Sequence, residues 1–146
     1  MAADYVQVNR LFKGLVASHA EFDPRTVNRD AQLSIAEFAE LARRSALVVA
    51  AAGQEVLGFM HIETIRVPPI GIFNERHIFE IRELFVDEPF RSLGLGKALI
   101  DMAKQAARDT GAGVLQVGAF SVNRRARKFY ERMRFEEPGR MFCYYL

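Results

Sequence analysis

The stretch Leu84 to Lys97, LFVDEPFRSLGLGK, constrains the chain more than any other. Leu84, Phe85 and Val86 are apolar and strand-like, and Asp87-Glu88-Pro89 ends the strand, because proline lacks a ladder donor and acids favour turns. Arg91-Ser-Leu-Gly94-Leu-Gly96-Lys97 then runs directly into an alanine-rich helical pattern. A strand, a short glycine-bearing loop and a helix start make an anion cradle: the first helical N–H groups lack partners and carry about half a positive charge. Glycine lets the main chain take unusual φ/ψ values and approach a ligand closely. A phosphate-bearing ligand is the first expectation.

The kind of phosphate loop can be narrowed. A Walker A loop needs glycine where Arg91 stands and Ser or Thr where Ala98 stands, so magnesium–nucleotide chemistry is disfavoured. A dinucleotide fingerprint starting at Gly94 needs Gly or Ala at Leu99 and fails as well. The remaining pattern, R-x-x-G-x-G, resembles motif A of the GNAT superfamily of acyl-CoA N-acetyltransferases. In that family it cradles the coenzyme A pyrophosphate with backbone amides.

With 146 residues, half of them hydrophobic and no shift in composition, the chain suits a single domain over 1–146 with one core. A net charge of +2 gives no global field calling for nucleic acid. The lone Cys143 cannot form an intramolecular disulfide or a cysteine-rich metal site, and its aromatic strand-like setting predicts burial. The N-terminus lacks a signal-peptide apolar region, and no apolar run approaches the roughly 20 residues that span a bilayer. A cytoplasmic protein without membrane partners is expected. His19, His61 and His77 show no ligand spacing, so no metal is expected.

In chain order, helical spacing runs from Tyr5 to His19, and Ser34-Ile-Ala-Glu37 is a capping box for a second helix burying Ile35, Phe38 and Leu41. Ala46–Ala52 and Val56–Arg66 read as a hairpin about Gly53-Gln54. His77–Val86 is a long strand with a conflict of parity. Ile78, Leu84 and Val86 share one face with Glu80 and Arg82, while Phe79, Ile81 and Phe85 share the other with Glu83. A bulge near its end would resolve this, and an edge strand with mixed faces is the alternative. Lys97–Thr110 places Leu99, Met102, Ala103 and Ala106 on one stripe, with Gly111 as a C-cap. Val114–Phe120 completes a right-handed βαβ unit, so it should run parallel to the strand ending at Val86. A last helix carries Ala126, Phe129, Tyr130 and Met133, and Met141–Leu146 reads as a final strand.

Asn123-Arg-Arg-Ala126-Arg-Lys-Phe129-Tyr130-Glu131-Arg-Met-Arg-Phe135 is similar to the second GNAT motif, N-x-x-A-x-x-F/L-Y-E-x-x-G-F. Arg134 replaces the usual glycine, which bears on the turn after the helix. The earlier half follows the family only in its order of elements, and the usual first strand is short or missing. The resemblance implies an α/β GNAT fold: a central mixed sheet of about six strands with a parallel splayed pair and about four helices.

The resemblance also implies roles. Acetyl-CoA would be the co-substrate, its pyrophosphate on Arg91, Ser92, Leu93, Gly94, Leu95, Gly96 and Lys97. Pantetheine would lie as a false strand on the amide of Val86 and the carbonyl of Phe85, helped by Asn123 and Phe129. Asn123 is otherwise a plain helix N-cap. Tyr130 would donate a proton to the departing thiolate; by periodicity alone it is a core tyrosine. A lysine-like amine is neutral in only about one molecule in a thousand at pH 7, so a base matters, and Glu83 and Glu80 are the candidates. Either can instead pair with Arg82. The arginines between Arg124 and Arg134 read as a solvated face, with one or two reaching a CoA phosphate. The function implied is acetyl transfer to a primary amine by direct attack in a ternary complex. A non-catalytic acyl-CoA-binding module and a nucleic-acid-binding module are the alternatives. Proteins of this kind often form homodimers, so a homodimer is a partner state to test.

Overall fold

The computed structural model describes residues 2–145. Four helices, α1 (Ala2–Phe22), α2 (Ile35–Arg43), α3 (Leu95–Asp109) and α4 (Arg124–Arg132), surround one sheet. Its strands are β1 (Leu47–Ala52), β2 (Glu55–Val67), β3 (Arg76–Val86) and β4 (Val114–Val117), in the order β1-β2-β3-β4. The first three are antiparallel neighbours, and β4 joins β3 in parallel after the α3 crossover.

Consecutive residues of a strand face opposite sides of a sheet, and β2 shows this with Phe59 and Met60. Phe59 packs with Val8, Leu11 and Leu15 of α1 and Phe38 of α2, whereas Met60 packs with Leu99, Ile100 and Ala103 of α3. Each such fully buried side chain contributes roughly 1.5–3 kcal/mol. α4 adds Phe129, Tyr130 and Met133 to the α3 side. The capping box of α2 is formed in both directions between Ser34 and Glu37.

The parity conflict in β3 is resolved by a bulge. His61 pairs with Glu83 and Ile62 with Ile81, which leaves Arg82 without a partner. Phe79 and Ile81 before the bulge, and Leu84 and Val86 after it, therefore join the same α3-side cluster. Glu80 and Glu83 both turn to the α1/α2 side.

Several expectations are corrected. The sheet has four strands among the described residues rather than about six. Residues 141–145 form no strand: Met141, Phe142 and Tyr144 are about nine-tenths exposed, since aromatic β-propensity needs an edge to pair with. Leu146 lies outside the described residues. Cys143 is exposed for the same reason. The buried stripe of α3 is Leu99, Ile100, Ala103 and Ala107, which leaves Met102 outside. Ile35 is also exposed, so α2 buries only Phe38 completely.

Candidate active site

β3 and β4 pair only as far as Ile81 and Val117, so the last residues of β3 run on beside a gap. A cleft of about 640 Å³ opens there. Of the residues picked from sequence it gathers Phe85, Val86, Arg91, Ser92, Gly94, Leu95, Gly96, Lys97, Asn123, Phe129 and Tyr130. Leu93 is not on its wall and is largely exposed. Neither Glu80 nor Glu83 lines it.

The ladder fixes which main-chain groups face the gap. Asp87 N–H donates to the Leu57 carbonyl, and antiparallel bonding alternates, so Phe85 bonds toward β2 while Leu84 and Val86 turn their amides away from it. The Phe85 carbonyl, expected in the gap, instead lies 2.8 Å from where a Cβ on Gly58 would stand, on the β2 side. Phe85 lines the cleft, and its ring packs on the α1 side beside Gly14. Arg91 Nε donates to the Val86 carbonyl at 2.8 Å and the guanidinium lies over the Phe85 ring, which ties the loop to the strand end.

At the head of α3, Gly94 takes φ +87°, a left-handed conformation that costs a side-chain-bearing residue about 1–2 kcal/mol, and it places no side chain over the first helical amides. Ser92 is also left-handed, at φ +65°. A Cβ on Gly96 would stand 3.2 Å from the Phe129 ring, so this glycine lets α4 close on the start of α3. Lys97 is held by Asp101 at 2.5 Å.

On α4, the Asn123 side-chain oxygen accepts from Ala126 N–H at 3.1 Å, so it caps the helix. Its amide nitrogen remains the group that can serve a ligand. Tyr130 packs between Phe129 and Phe135, with centroids at 5.3 and 5.6 Å, and burial pushes its phenol up to about 12. Arg134 has φ +64°. Its N–H bonds the Glu131 carbonyl and that of Phe135 bonds Tyr130, which closes the helix in a Schellman turn despite the missing glycine.

The two glutamates are placed differently. Glu80 is held by Arg82 Nε at 2.8 Å and Gln116 Nε2 at 3.2 Å, away from both cavities. Glu83 lines a second cavity of about 500 Å³, bounded by α1, α2 and β2, where His61 Nδ1 lies 2.5 Å from its Oε2.

Two functional candidates were not found from sequence. His19 enters the cleft from α1, edge-on to Phe120 at 5.3 Å. Burial holds it below its usual value, and the charge of Glu83 partly opposes this. His61 is held above its usual value, first by its bond to Glu83. The only signal for it was its spacing of two from Glu63.

The acetyltransferase (GNAT) family profile matches residues 12–135, and the chain belongs to that family. An uncharacterised N-acetyltransferase of Methanocaldococcus jannaschii is 38% identical over a segment covering 47% of this chain and 30% of that protein. Another, from Archaeoglobus fulgidus, is 30% identical over 65% of this chain and 63% of its own length, so the matches span less than two thirds of either relative. Among solved structures, the F44R mutant of the BH1408 protein from Bacillus halodurans superposes with a TM-score of 0.87 at 17% identity, over 98% of this chain and 94% of that one. AAC(6')-Iy, in complex with the bisubstrate analogue CoA-S-monomethyl-acetylneamine, superposes with a TM-score of 0.64 at 20% identity, over 94% and 90%. These likenesses show the shared fold. No helix among the described residues is long and apolar enough to cross a membrane.

Proposed function

We propose that the chain transfers an acetyl group from acetyl-CoA to a primary amine by direct attack in a ternary complex. The carrying observation is the gap between β3 and β4, with unpartnered helical amides at one end and Tyr130 on its wall. The residues present fit an acyl-CoA. Its diphosphate would lie on the amides between Ser92 and Lys97, with Arg125 on the rim for a further phosphate. Pantetheine would take the place of a strand against Leu84 and Val86, with Asn123 Nδ2 as a donor. Bound there, the thioester supplies an activated acyl carbon.

Val86 N–H is turned toward the thioester oxygen, where negative charge develops. The acceptor ammonium gives one proton to Glu83, directly or through water. Its nitrogen then bonds the acyl carbon and the C–S bond breaks. Tyr130 protonates the departing sulfur and recovers its proton from the second one that the nitrogen sheds. At about 12 against about 8.5 for a thiol, that transfer is uphill by roughly 5 kcal/mol in the free protein. The thiolate forms in the same apolar cleft, which raises its own proton affinity and narrows the gap.

Calorimetry with acetyl-CoA, followed by thiol release against polyamines, aminoglycosides, amino acids and peptide N-termini, tests the reading. Saturable binding and release with at least one amine are expected. Absence of both would end it.

A further inference from the structure

On the opposite side of β3 from α3, Glu83 belongs to a chain of charges whose other members this reading leaves unused. His61 and Glu63 are two apart on β2 and share a face, and the bulge at Arg82 brings Glu83 to that face directly opposite His61. The imidazole sits between two carboxylates: Nδ1 is 2.5 Å from Glu83 Oε2 and Nε2 is 3.0 Å from Glu63 Oε1. The other oxygen of Glu63 lies 2.5 Å from Arg44, just past α2. The side chains of His61, Glu63 and Glu83 are only 18, 19 and 29% exposed. A neutral imidazole has one N–H and satisfies one carboxylate, while the doubly protonated ring satisfies both.

We propose that His61 is a positioning residue for acetyl transfer: its Nδ1–H fixes one oxygen of Glu83 so that the other meets the proton of the acceptor amine. This rests on the acetyl-transfer reading and adds a residue to it. A free glutamate loses rotamer freedom when it is held for proton transfer, and the bond to His61 removes much of that freedom beforehand. The proton passes from the amine nitrogen to Glu83 Oε1 and leaves to solvent after the product does; the proton on His61 Nδ1 is never consumed.

The groups facing this pair are Glu63 on β2, Arg44 after α2, Glu37 and Glu40 on the α2 wall of the cavity, and His19 of α1, which feels the charge of Glu83. The carboxylates favour the imidazolium and Arg44 opposes it. As pH rises and His61 loses its second proton, Glu63 competes for the single N–H left, and Glu83 is released.

Steady-state kinetics on the amine found by thiol release, with acetyl-CoA affinity measured in parallel, test the assignment. Glu83→Gln is expected to lower kcat on the order of 100-fold and His61→Phe about tenfold or more, both keeping acetyl-CoA affinity within about twofold. His61→Asn, whose amide can donate where Nδ1 stood and does not titrate, should recover most of the rate and lose the alkaline fall in kcat. The double variant Glu83→Gln/His61→Phe should be no slower than Glu83→Gln alone by more than about twofold, since the two act as one unit. A His61→Phe rate within about twofold of wild type, an Asn variant no better than Phe, or fully multiplicative losses would overturn the proposal while leaving the donor reading intact. A wild-type protein that neither binds acetyl-CoA nor releases thiol overturns the donor reading, and this proposal with it.

Discussion

The two sides of β3 hold cavities made of different material. The cleft toward α3 and α4 is built mainly from two contiguous stretches, Leu84–Lys97 and Asn123–Met133, with His19 entering from α1, and offers main-chain amides, aromatic rings, one phenol and the cationic side chains of Arg91, Lys97, Arg125 and Arg132. The cavity toward α1 and α2 draws its walls from Phe12, Leu33, Leu41, Leu47, Phe59 and His61, and its polar groups are carboxylates and an imidazole. A cleft of the first kind grips a ligand by backbone geometry and is tolerant of most side-chain changes. A cavity of the second kind depends on a few charges held in register by distant segments. The first suits the part of a substrate that never varies, and the second the part where proton balance is set.

The largest expected effect falls on the cleft side. Tyr130→Phe removes only the phenol oxygen, so kcat should fall about 100-fold, close to 3 kcal/mol, with acetyl-CoA affinity unchanged. Because the phenol is pushed up to about 12, it stays protonated through the working range and adds no alkaline limb to the wild-type profile. An unchanged turnover rate in the Phe variant would leave the cleft as a binding site only.

Gly58→Ala probes how tightly β2 packs on the end of β3. The new methyl would stand 2.8 Å from the Phe85 carbonyl and 3.2 Å from Val86 Cγ2, with backbone on one side that cannot move aside. A loss of about 1–3 kcal/mol in urea unfolding is expected, typical of overpacking. Full stability would mean that the end of β3 is looser than the register implies.

The contrast also explains what could be read in advance. The strand–loop–helix, the capping box and the bulge are local, because each rests on residues within one turn or on the alternation of one strand. His61 with Glu83 is separated by 22 residues and meets it only in a register shifted by the bulge. No periodicity within either strand contains that information. Met141–Tyr145 failed in the reverse direction: its local propensity is for strand, but no sheet edge takes it up among the described residues. The turn after α4 shows how local rules bend, since Arg134 fills a glycine position without changing its geometry.

The two histidines give a pH test with opposite signs. His61 has a folded-state value raised by its bond to Glu83, so its contribution to stability is complete below about 6.5 and is lost as pH rises through the raised value. His19 has a value lowered by burial, so its contribution is present above about 6.5 and is lost as pH falls through the lowered value. The melting temperature of wild type should therefore decline on the alkaline side more than that of His61→Asn, and on the acid side more than that of His19→Asn. Parallel curves for either pair would remove the corresponding charge difference between the two sides.

The smallest effect expected is a gain. Arg134 is exposed at φ +64°, where a side chain costs about 1–2 kcal/mol, and the Schellman bonds of Glu131 and Tyr130 use only main-chain atoms. Arg134→Gly relieves that strain but admits more unfolded conformations, worth about 0.4–1 kcal/mol the other way. A net stabilisation of about 0.5 kcal/mol should remain, with kcat unaffected because the Tyr130 ring is still clamped between Phe129 and Phe135. If the glycine variant is instead less stable, the arginine stem must be packing on the end of α4, and the cleft side would then owe part of its shape to a long side chain rather than to backbone alone.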